Sequence, residues 1–173
     1  SSPKYAERFS DVDMEIRTGK LVTQFTYNIG ETAIAENVDE LSKLMSEEDI
    51  AEYVKYDTET PQKFSTYDKM INEDGTFAND RMGMKQVALL IKYKITNNSG
   101  EDFAFQSNSF RLYCFRYNEQ EDATYYSTIE SRQSYLNIHD DHEIFRHHLT
   151  IKPGETKEVV AMEFIPYEFV TSY

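Results

Sequence analysis

Apolar and polar positions alternate with a period of two over several stretches of this chain. The clearest is Lys85–Thr96, where Val87, Leu89, Ile91, Tyr93 and Ile95 alternate with Ala88, Leu90, Lys92, Lys94 and Thr96. Successive side chains of a strand point to opposite faces, so this pattern predicts a β-strand. Its first half is apolar on both faces and its second half on one. A central strand whose end emerges into solvent has that profile. Near the start, Val12, Met14 and Ile16 alternate with Asp13, Glu15 and Arg17. The turn signal Thr18-Gly19-Lys20 leads into Leu21–Ile29, a run of strong β propensity. Further strands are predicted at Phe103–Phe105, Ser109–Tyr117, Ala123–Thr128, Leu149–Ile151 and Thr156–Ile165. In the last of these, Val160, Met162 and Phe164 oppose Val159, Ala161 and Ile165. Thr58–Gly83 is polar and reads as loop with a short strand at Lys63–Tyr67. Glu130–His148 is polar without a period and reads as a connection.

One segment has a different period. From Asn37 to Tyr56 the apolar residues Leu41, Leu44, Met45, Ile50, Tyr53 and Val54 are spaced for a helix. Asn37-Val38-Asp39-Glu40 and Ser46-Glu47-Glu48-Asp49 both offer a capping side chain followed three residues later by an acid. The acids at these starts suit the helix dipole. The pattern predicts one broken helix or two short ones, inserted in a β-rich chain. Strands separated by turns favour a sandwich over βαβ units. The expected fold is mainly β: one β-sandwich domain over residues 1–173 with a short α-helical insertion at about 37–56.

Composition narrows the classes. The chain has 173 residues, 31 acidic against 18 basic, a formal net charge of −13, and 14% aromatic residues with 13 Tyr, 11 Phe and no Trp. So many aromatics argue against wholesale disorder. The acidic balance disfavours nucleic acid and anionic lipid as partners. No apolar run reaches the ~18–20 residues of a membrane-spanning helix. The start Ser1-Ser2-Pro3-Lys4 carries no basic-then-apolar leader, so the chain is expected to be either cytoplasmic or a trimmed secreted protein. Its single cysteine, Cys114, cannot form an internal disulfide and reads as a small buried hydrophobe on a strand.

The segment Met84–Pro166 carries a recognisable order of motifs. An apolar strand ends in Ile95-Thr96-Asn97-Asn98-Ser99-Gly100-Glu101, and Phe110-Arg111-Leu112-Tyr113 follows. Later, Leu149-Thr150-Ile151-Lys152-Pro153-Gly154-Glu155 leads into Val160–Phe164 and Pro166. This order resembles the telokin-like, immunoglobulin-fold domain of secreted, cell-surface lipoproteins of Gram-positive bacteria. The resemblance covers about half the chain. It implies an immunoglobulin-like sandwich and an extracellular, membrane-tethered setting, and it brings no catalytic residues. The lipidated cysteine of such proteins is absent from this chain, so any membrane link would run through an anchor outside it.

Candidate chemistry is concentrated in two places. All four histidines, His139, His142, His147 and His148, fall within ten residues, interleaved with Asp140, Asp141 and Glu143. Such a mixture can hold a divalent cation, zinc foremost, if three or four groups converge. On a helical turn His139, His142 and Glu143 would share a face; on a strand His142 would align with Asp140. The alternative is a polar loop anchored by Ile144, Phe145 and Leu149. The second place is aromatic: Tyr113, Phe115 and Tyr117 fall on one face of a strand, and Tyr125 and Tyr126 follow. Tyrosine offers a large contact area with one polar group, which suits either a recognition face or a core rim. Asp11–Glu15 and Asn72-Glu73-Asp74-Gly75 are incomplete versions of a calcium loop. Asn97-Asn98-Ser99 is an N-glycosylation triplet. No Gly-x-Ser-x-Gly elbow, His-Glu-x-x-His pair or phosphate-cradling glycine loop occurs, so no enzymatic activity is expected. The leading expectation is a non-enzymatic extracellular binding module without a cofactor, taking another protein or a cell-envelope component as partner. The alternative is a metal-binding domain built on His139–His148.

Overall fold

The computed structural model describes residues 25–59, 69–106, 113–128, 134–137 and 148–171. Its strands are β1 (Phe25–Ala35), β2 (Gln86–Asn97), β3 (Phe103–Gln106), β4 (Tyr113–Asn118), β5 (Ala123–Thr128), β6 (Ser134–Leu136), β7 (His148–Ile151) and β8 (Thr156–Pro166). A 3₁₀ turn, Asp39–Lys43, and helix α1, Glu47–Glu59, separate β1 from β2, and a short helix α2, Glu168–Thr171, follows β8. The chain is therefore mainly β with a helical insertion. The insertion is two short helices rather than one broken helix.

The strongest period-two pattern becomes the middle of the main sheet. β2 pairs antiparallel with both β1 and β8, in a four-stranded sheet ordered β1-β2-β8-β6. The parity of β2 and β8 then decides two packing layers. Ala88, Leu90, Val160, Met162 and Phe164 face one way and pack with Leu41, Met45 and Tyr53 of the helical insertion and with Met70 and Phe77. Ile91, Tyr93, Ile95, Val159 and Ala161 face the other way and pack with Phe105, Leu149 and Ile151. Those last three belong to β3 and β7, which form their own two-stranded ribbon. Sheet therefore packs on sheet on one side, as in a sandwich, while the helices cover the opposite face.

Three elements depart from the sequence reading. β1 runs past Ile29 to Ala35, because its register slips from Ile29↔Tyr93 to Thr32↔Ile91. Gly30 and Glu31 together oppose Lys92, a bulge that breaks the alternation while the strand continues. β6 lies inside the stretch read as a connection, and α2 occupies a C-terminal stretch where no helix was expected. The strand expected at Ser109–Tyr117 is described from Tyr113 to Asn118. The readings at Val12–Ile16, Thr18–Lys20 and Lys63–Tyr67 lie outside the described residues.

Candidate functional site

Both strands of the 113–128 segment are rich in aromatic and hydroxyl residues, a composition that favours extended backbone. They form an antiparallel hairpin with the register Tyr113↔Thr128, Phe115↔Tyr126, Arg116↔Tyr125 and Tyr117↔Thr124. The connection Glu119–Asp122 is shaped from both ends. Asn118 Oδ1 accepts the Gln120 N–H at 3.0 Å, and Asp122 closes the turn with a left-handed φ of 46°, a conformation that aspartate tolerates better than most residues.

The register sorts the sequence-predicted binding residues. Positions 113, 115 and 117 share a hairpin face with 126, and residue 126 stands directly opposite residue 115. Tyr125 belongs to the other face. Its side chain is 55% exposed, and its hydroxyl donates to the Glu121 carboxylate across the turn. That hydrogen bond, with a smaller contribution from burial, raises the Tyr125 phenol above its ordinary pKa. The hairpin is a separate two-stranded sheet; no strand outside it pairs with β4 or β5 among the described residues. Four aromatic positions thus lie on one face of the hairpin and an exposed tyrosine on the other, with Glu119, Glu121 and Asp122 at the tip. Cys114 lies in β4 opposite Ser127.

The histidine cluster falls elsewhere. His139, Asp140, Asp141, His142, Glu143 and His147 lie outside the described residues, and His148 begins β7 opposite Gln106. Among the described residues no group of three or more His, Cys, Asp or Glu is placed to hold a metal ion. Of the two calcium-loop readings, Asp11–Glu15 lies outside the described residues. The other is a tight turn in which Asp74 Oδ1 accepts from the Thr76 N–H at 3.0 Å and from the Thr76 hydroxyl at 2.5 Å. These bonds, the hydroxyl first, hold the Asp74 carboxyl below its ordinary pKa.

A polar cluster that sequence reasoning missed joins α1 to β6. Ser46 Oγ accepts the Asp49 N–H at 3.1 Å and donates back to Asp49 Oδ2 at 2.9 Å. Asn137 Nδ2 reaches the same oxygen at 3.5 Å, while its Oδ1 accepts the Val160 N–H. The Tyr135 ring packs edge-on against Tyr53 at 5.3 Å. Burial, then the Asp49 charge, raise its phenol far above the ordinary value. The Ser-x-x-Asp cap is legible in sequence; the reach of Asn137 is not, because 88 residues separate it from Asp49.

The glycosylation triplet is closed. Asn97 is fully buried, and its Nδ2 donates to the carbonyls of Glu101 at 2.7 Å and Ile151 at 2.8 Å. The amide nitrogen that a glycan would occupy is thus committed to the fold.

No family model matches the chain, and no curated protein matches it. A search of solved structures finds the crystal structure of an uncharacterized β-sandwich protein from Clostridium difficile 630, at 14% identity and a TM-score of 0.37. The match covers 88% of this chain and 76% of that one. Among the described residues no helix is long and apolar enough to cross a membrane.

Proposed function

We propose that this chain is a non-enzymatic binding module of a Gram-positive cell surface, of the telokin-like immunoglobulin class that its motifs resemble, and that the β4–β5 hairpin is its contact element. One observation carries this reading. The hairpin register gathers positions 113, 115, 117 and 126 on one face of a two-stranded element with which no other described strand pairs. Aromatic residues on such an element supply large area at low conformational cost, as recognition surfaces require. The partner is a surface protein or a cell-envelope polymer.

The test uses labelled chain and two probes: purified Gram-positive cell-wall sacculi and a protein extract of the same cells' surface. Phe115→Ser with Tyr117→Ser, and Tyr125→Ala separately, are expected to weaken retention on one probe by at least about tenfold, the loss of about 1.4 kcal/mol. Far-UV circular dichroism would check that both variants remain folded. Retention of both folded variants at the wild-type level would sink the assignment to the hairpin.

A further inference from the structure

The loop after Phe77 presents a methionine. Met82 is 86% exposed, while Met45, Met70 and Met162 are at 4%, 0% and 0%. Exposure alone would be ordinary at a mobile tip, but this loop is fastened. Asp80 Oδ1 accepts the N–H groups of both Met82 and Met84, each at 2.8 Å. The Asp80 N–H donates to the Met84 carbonyl at 2.9 Å and the Gly83 N–H to the Asp80 carbonyl at 3.0 Å. Asn79 Nδ2 holds the Gly83 carbonyl at 3.1 Å. Gly83 makes the turn possible with a φ of 82°, where a Cβ would be strained. None of these bonds uses the Met82 side chain, so the thioether stands outward on a loop that does not depend on it.

We propose that Met82 is an oxidative modification site whose substrate class is the hydroperoxides. A sulfur lone pair of Met82 attacks one peroxide oxygen. An S–O bond forms and the O–O bond breaks. The departing alkoxide, or hydroxide where the oxidant is hydrogen peroxide, takes the proton left on the transferred oxygen and leaves as the alcohol or as water. Sulfur is oxidised by two electrons, and the peroxide is reduced. The product sulfoxide is polar and reducible by sulfoxide reductases, so the change converts an apolar knob into a polar one reversibly. At Met82 the fold loses no buried contact. At Met45, Met70 or Met162 the same oxygen would enter the packed core between sheet and helices.

The test treats the full chain with hydrogen peroxide and follows each methionine by peptide mass spectrometry. Met82 is expected to gain one oxygen at least about tenfold faster than Met45, Met70 and Met162. The chain oxidised at Met82 alone should melt within about a degree of the untreated protein, as exposed substitutions usually do. Met82→Leu should delete that modification and leave the other rates unchanged. Oxidation of Met82 no faster than that of the three buried methionines would overturn the proposal. So would a fall of several degrees in melting temperature on modification at Met82.

Discussion

Asn97 is the residue at which the chain's two turn motifs meet. Its Oδ1 accepts the Ser99 N–H at 2.9 Å, its Nδ2 serves Glu101 and Ile151, and its main chain bonds Gly154 and Glu155. The Asn-Asn-Ser-Gly turn and the Lys-Pro-Gly-Glu turn, both quoted above for the family resemblance, are thus one unit in space. Asn97→Ala removes a buried donor from two carbonyls and an acceptor from one amide, and should cost about 2–4 kcal/mol. Asn97→Asp keeps the acceptor but turns an oxygen toward the Ile151 and Glu101 carbonyls. It should be at least as destabilising at neutral pH, because a buried charge is left facing acceptors. Urea unfolding of both variants checks this, and a wild-type midpoint for Asn97→Asp would refute it. Glu155 in the same turn accepts the Lys152 N–H at 2.9 Å and meets Lys157 Nζ at 3.1 Å. These contacts, the Lys152 amide first, hold its carboxyl below the ordinary value of 4.5. A depressed carboxyl stabilises the fold above its unfolded value and loses that contribution as pH falls through its folded value. The stability difference between wild type and Glu155→Gln should therefore be full at neutral pH and shrink below about pH 4.5. An acid series of melting temperatures shows it; a difference constant with pH would exclude the contact.

Elements were legible in the sequence where one period ran unbroken. β2 and β8 carry long, nearly unbroken runs of apolar residues because both faces of each strand are packed, and the sequence reading matches their ends within a residue or two. α1 was legible from its spacing and from Ser46. Ser46→Ala should remove about 1 kcal/mol, a typical N-cap loss, measurable as a lower urea midpoint with unchanged slope. A variant as stable as wild type would mean that Asp49 alone secures the helix start. β1 was half legible, because the bulge at Gly30 and Glu31 moves every later side chain by one position. β6 was not legible at all. It has three residues, and its place is fixed by pairing with β8 and by Asn137, which are long-range contacts that no local pattern encodes. The candidate contact element follows the same rule. Its strands and its aromatics were visible in the sequence. The separation of Tyr125 from Tyr126 follows from their adjacent positions on β5, but Tyr126 standing opposite residue 115 follows only from the hairpin register.

At the scale of the molecule, two cores lie on opposite faces of one sheet and share its central strands. Ala88 and Leu90 serve the helical side while Ile91 and Tyr93 serve the β3–β7 side; along β8, Val160 and Met162 alternate with Val159 and Ala161 in the same way. Losing either core would strip one face of β2 and β8, and those strands cannot keep their pairing with one bare apolar face. The described ion pairs cannot substitute for that packing. Lys85–Glu36, Lys43–Glu40, Lys157–Glu155 and the Lys92 pairs lie at the surface, where each contributes about 0–1 kcal/mol. Removing one buried aromatic costs about 3–5 kcal/mol. The cores should therefore unfold together. Tyr53→Ala empties the helical side and Phe105→Ala the ribbon side, and both side chains are fully buried. In scanning calorimetry each variant should shift one single transition downward, with the calorimetric and van't Hoff enthalpies equal. If Tyr53→Ala instead split off an early transition and left a later one at the wild-type temperature, the helical insertion would be an independent layer, and the shared strands would not couple the two faces.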